Sequence, residues 1–175
     1  IGLGSNSGSQ PIPRGNHHEF QEGIGTQQPL MPTVRHVPEK QTVEYSTLPP
    51  TSGDHWSQWA ECGFYPEGLP DEIITHNLEH GVIVVNYNLE TNAEVGILLD
   101  AVEDIELYKH WGLTRFYPEI SVGTVSLSAW GVLDTMSEID RDRIDRFFNA
   151  YAGNLGPEEI PCSINPLPVE PQVGG

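Results

Sequence analysis

Residues 81–87 read GVIVVNY, and four of them in succession, Val82 to Val85, are branched at Cβ. Branching there restricts a side chain in a helix and suits a pleated surface, so this run is a buried strand. The residues just before it bear on function. Residues 75–80 are THNLEH, with His76 and His80 four apart and Glu79 between them. Histidines at that spacing project from one face of a helix, and they would share a face of a strand as well. Either local structure lets the pair meet one metal ion. Residues 71–80, DEIITHNLEH, read as a short helix with acidic residues in its first turn and Gly81 as its stop.

Residues 1–34 and 163–175 are rich in Gly, Pro, Ser and Gln and show no periodicity, so both read as extended tails flanking a domain at 35–162. Within that domain QTVEYS (41–46) alternates like a strand, and 49–63 carries turn residues throughout. From Asn92, Val95, Leu98, Leu99, Val102 and Ile105 fall at helical spacing; LTRFYPEI and GTVSLSAWGVL follow as two strand-like runs expected to pair or neighbour each other. A last helix opens on Ser137 as its N-cap and stops at Gly153, burying Ile139, Ile144, Phe147, Phe148 and Tyr151. The expected fold is a single α+β domain, a mostly antiparallel sheet with two main helices on one face.

Charge narrows the function. Eight Lys and Arg against 25 Asp and Glu give a formal charge of −17, which argues against nucleic acid and anionic membrane surfaces and favours cations. No window approaches the roughly 20 apolar residues of a membrane span. The first residue is Ile1, which reads as a trimmed chain that has lost a signal or anchor upstream. Cys62 and Cys162 are the two cysteines. They form either a bridge, which implies an oxidising compartment, or two free buried thiols.

His55, in TSGDHW, together with His76 and His80 supplies three of the four positions of a metal site. Copper and zinc both accept imidazole; a thioether from Met136 or Met31 would tilt the choice toward copper. Glu79 is an auxiliary group beside the ligands. Under another reading it is a general base, since HNLEH matches the H-x-x-E-H pattern of inverted zinc peptidases, although Gly81 cuts the helix short. Trp56, Trp59, Phe64 and Tyr65 crowd the segment that follows His55 and would shield a metal. His17 and His18 form a candidate second or intersubunit site, while His36 and His110 have no visible company.

Four segments, PPTSGDHWSQWAECGFY, HNLEHGVIVVNY, SLSAWG and RFFNAYAGNLGPEEIPC, resemble, in order, the family catalogued as domain of unknown function 3105. The resemblance implies an exported or membrane-anchored domain, supports a Cys62–Cys162 bridge and places its histidines at His55, His76 and His80. It implies no activity. The expectation is an extracellular or cell-surface protein binding copper, with zinc as the alternative ion. The tails would drive a homo-oligomer or filament by adding a strand, around IGL or PLPV, to a neighbour's sheet.

Overall fold

The expected core strand, β3 (Ile83–Asn88), lies inside one six-stranded sheet, flanked on both sides. The others are β1 (Thr26–Gln27), β2 (Gly63–Tyr65), β4 (Gly112–Phe116), β5 (Thr124–Ala129) and β6 (Val132–Met136), in the order β1-β6-β5-β3-β4-β2. The computed structural model describes residues 10–164. Three neighbouring pairs are antiparallel, and β3/β4 and β4/β2 are parallel. The sheet is therefore mixed with an antiparallel majority.

Four helices surround it: α1 (Asp71–Glu79), α2 (Asn92–Glu103), α3 (Tyr108–Trp111) and α4 (Arg141–Tyr151). The two main helices, α2 and α4, pack on one face as expected, where Leu98, Val102, Phe147, Phe148 and Tyr151 meet Ile83, Val85 and Tyr87. The other face is covered too. Ile73, Ile74 and Leu78 of α1, with Trp56 and Ala60 from the loop before it, close over Val82, Val84 and Leu113. A strand as apolar as β3 is protected from water only when both faces are covered.

Several expectations need correction. LTRFYPEI and GTVSLSAWGVL do not pair, because β3 stands between β4 and β5. A parallel β3/β4 pair needs a long crossover, and α2 with α3 provides it. GTVSLSAWGVL is itself a hairpin, with β5 and β6 joined through Trp130 and Gly131. The alternating QTVEYS stays unpaired, its Val43 N–H donating to Glu72 Oε1 at 3.0 Å instead of to a strand. Asp140, not Ser137, caps α4, accepting from the Arg143 N–H at 3.0 Å.

The described part of the N-terminal tail is held by its own domain. The Trp111 Nε1–H donates to Pro13 O at 2.8 Å, Gly15 N–H donates to Ala152 O at 2.8 Å, and Tyr151 Oη donates to Ile24 O at 2.7 Å. β1 then pairs with β6. These anchors are mostly main-chain groups, which composition does not reveal. IGL and PLPV lie outside the described residues. Cys62 and Cys162 form a disulfide with Cα atoms 4.9 Å apart. Among the described residues no helix is long and apolar enough to cross a membrane.

Candidate metal centre

Everything in this centre is organised around the last turn of α1. The helix begins after Pro70 without a side-chain cap, and its start is fixed by a buried polar chain instead. Arg115 on β4 is fully buried; its Nε–H donates to Asn86 Oδ1 at 2.7 Å, and its terminal nitrogens reach Leu69 O at 2.8 Å and Asp71 Oδ1 at 2.7 Å. Tyr117 Oη donates to Asp71 Oδ2 at 3.0 Å. Asn77 holds the preceding loop, bonding both the N–H and the carbonyl of Ala60 at 2.8 Å. Seven of the nine α1 residues are buried, His76 among them, so the functional turn is lodged in the protein interior.

His55 and His76 converge there, with ring centroids 4.7 Å apart. A backbone carbonyl fixes each tautomer, because it can only accept. His55 Nδ1 lies 2.9 Å from Gly53 O and His76 Nδ1 lies 2.8 Å from Trp56 O, so each Nδ1 carries a proton, and in the neutral ring each Nε2 is the nitrogen left to offer a lone pair. Both Nε2 atoms face Glu79. His55 Nε2 is 2.9 Å and His76 Nε2 3.8 Å from Glu79 Oε2. The first approach is off the direction an N–H bond requires, and His55 Nε2 is buried without a hydrogen-bond partner. Two imidazole nitrogens turned toward one carboxylate make a donor set that could hold a cation.

His36 completes the group. One rung of parallel pairing brings it to His55: His55 N–H donates to Arg35 O at 3.0 Å and Val37 N–H to His55 O at 2.9 Å. Its ring lies 5.0 Å from that of His55 and 5.1 Å from that of His76. One ligand atom from each of His36, His55, His76 and Glu79 falls within 4.8 Å of the others. Of these four, three are at least half-buried and His36 opens to solvent. Three imidazoles and a carboxylate suit copper or zinc.

The third expected ligand, His80, is close, its ring 4.5 Å from that of His76, but its Nε2 faces Glu158 Oε2 at 3.2 Å and it groups with Glu79 and Glu158 instead. Burial, with His80 and His55 beside it, pushes His76 down to about 3, so it is neutral and ready to ligate at ordinary pH. Burial likewise lowers His80 and raises Glu79, which His55 pulls the other way.

Met136 is no ligand: it is buried in the α2/α4 core, across the sheet from the histidines. Met31 lies against Gly53, the residue whose carbonyl faces His55 Nδ1. Trp56 covers α1 and Trp59 sets its ring edge on His80 at 5.0 Å, whereas Phe64 and Tyr65 belong to the edge strand β2. His17 and His18 join no group of three possible ligands among the described residues. His110 lies beside Cys162, its carbonyl accepting from the Cys162 N–H at 3.0 Å.

Spacing did not single out His36 or Glu158. The cysteine pair is the signal for Glu158, since a Cys62–Cys162 bridge brings the residues before Cys162 back beside the loop that leads into α1. His36 has no such signal, because its partner is chosen by a backbone rung.

The chain belongs to the family described as Protein of unknown function (DUF3105), which matches residues 36–164. Among curated proteins and among solved structures there is no match.

Proposed function

We propose that this protein binds one copper(II) ion through His36, His55, His76 and Glu79, in an oxidising compartment outside the cytoplasm. The observation that carries the reading is the pair of carbonyl-oriented imidazoles whose free Nε2 atoms face one carboxylate, with His55 Nε2 buried and unpartnered. Copper(II) stands highest in the affinity order of divalent first-row ions for nitrogen donors. The Cys62–Cys162 bridge supports the compartment.

A binding or electron-handling role fits better than hydrolysis. A general base works across a metal-bound water, but Glu79 stands among the ligand atoms themselves. Assembly through the tails is a separate reading that rests on residues 1–9 and 165–175, since 10–34 engage their own domain.

Titration of the full chain with Cu²⁺, followed by electron paramagnetic resonance, tests the proposal. The first equivalent should bind with nitrogen hyperfine structure. His55→Ala and His76→Ala should each weaken it beyond the roughly 10–100-fold that loss of an outer hydrogen-bond partner costs. A wild-type chain that binds no copper would overturn the reading.

A further inference from the structure

A second cluster shares a residue with the first. Glu79, His80 and Glu158 bring one ligand atom each within 4.8 Å of one another. We propose that they hold a second divalent ion and that the Glu79 carboxylate bridges it to the first, making the centre dinuclear. This goes beyond the single copper site and shares only Glu79 with it.

Glu158 is delivered by the backbone. Its N–H donates to Glu79 O and Ile160 N–H to His80 O, both at 3.0 Å, so the returning segment is bonded to the end of α1. Gly156 permits the approach: a Cβ there would stand 2.2 Å from Glu79 O and 2.6 Å from Gly81 N. Two residues past Ile160, the Cys162 disulfide anchors the segment.

Having been delivered, the Glu158 carboxylate is left uncommitted. Neighbouring Glu159 pairs with Arg14, whereas among the described residues the ion-pair partner of Glu158 is His80 alone. No Lys or Arg of the described residues neutralises Glu79 or Glu158. Two carboxylates therefore meet at the C-terminal end of a helix, where the backbone dipole already favours a cation. His80 is 2 % exposed, and its Nδ1 is buried with no hydrogen-bond partner, so the ring is lodged beside these carboxylates with Nε2 facing Glu158 as its polar contact.

The donor sets differ. The first group has three imidazoles and one carboxylate; the second has one imidazole and two carboxylates, an oxygen-rich set that suits zinc or manganese better than a soft ion. Ions bridged in this way sit about 3.5–4 Å apart, close enough for unpaired electrons to couple.

Cu²⁺ serves as the probe for both positions. The full chain is titrated past two equivalents while bound copper and integrated spin are measured, beside Glu158→Gln, a near-isosteric change at a side chain 52 % exposed. Wild type should bind two ions; the spin signal should rise over the first equivalent and fall by at least roughly half over the second as the bridged ions couple. Glu158→Gln should bind one ion and keep the full single-ion signal. If wild type binds a single ion, the second position is overturned and the first stands; no binding overturns both. Two ions in Glu158→Gln, or two uncoupled spins in wild type, also overturn the second position.

Discussion

The two faces of the sheet are built by different rules. Toward α2 and α4, β3 and β5 present Ile83, Val85, Tyr87, Val125, Leu127 and Ala129, an apolar surface. Toward α1, β3 turns in Val84 and Asn86, β4 adds Leu113 and Arg115, and β5 adds Ser126 and Ser128. The first face is held by area, and volume is what matters there. The second is held by direction: Asn86 Nδ2 donates to Ser128 Oγ at 2.8 Å and to Ser126 O at 3.0 Å while its oxygen takes Arg115. A buried polar chain of this kind is costly when broken and fixes geometry when complete. It fixes the start of α1 here, so that the far turn presents His76, Glu79 and His80 in place.

The contrast can be broken most forcefully at the bridge. Replacing Cys62 and Cys162 by Ser releases a loop of 100 residues. The cost in the chain-entropy model is about 4–5 kcal/mol, read as a fall in the denaturant midpoint. Copper binding should weaken at the same time, because the released segment packs on α1.

A matched pair of substitutions separates the faces. Phe147→Ala should cost about 3–5 kcal/mol by opening a cavity, with copper affinity in the folded protein unchanged. Arg115→Leu should cost a similar amount, about 3–5 kcal/mol, by stranding Asp71, and it should also reduce copper affinity by freeing the start of α1. Equal copper affinity in the two variants would show that the polar chain does not position the site.

Acid distinguishes the faces through His76. Its folded value of about 3 lies below the ordinary 6.5, so between those values the unfolded chain binds a proton that the folded chain refuses. Stability of the metal-free protein should therefore fall as pH drops from about 6.5 toward 3. Glu79, raised by burial, acts with the opposite sign, so the informative quantity is the difference between wild type and His76→Leu in urea midpoints with chelator present. His76→Leu should flatten that part of the profile.

The smallest effects belong to the apolar face's helix ends. Thr91 caps α2 in a reciprocal box with Glu94, and Asp140 caps α4. Thr91→Ala and Asp140→Ala should each cost about 1 kcal/mol in chemical denaturation, with copper binding unmoved.

The same division explains what could be read in advance. Periodicity is a statement about area, and on the apolar face it succeeds: Leu98 and Val102 on α2, and Ile144, Phe147, Phe148 and Tyr151 on α4, are buried as their spacing predicts. The helix over DEIITHNLEH, its Gly81 stop and the strand after it were legible for the same reason. Strand order was not, because nothing local in LTRFYPEI says that it pairs in parallel with β3 across a helical crossover. The candidate site was half legible. His55, His76 and Glu79 lie in motif-like surroundings and do come together, with His80 turned to a neighbouring group, but His36 arrives through a single backbone rung and Glu158 through a segment returning from the far end of the domain.

One feature of the centre bears on how distant relatives should be recognised. The groups that orient His55 and His76 are the carbonyls of Gly53 and Trp56, and every amino acid carries a carbonyl. Residue identities at 54 and 56–58 can drift without losing the orienting bonds, whereas His55 is itself a ligand, Gly53 holds a positive φ of 126°, and a one-residue insertion or deletion would shift an acceptor relative to its ring. The informative comparison across relatives is thus loop length between the first ligand and the helix, more than percentage identity along it.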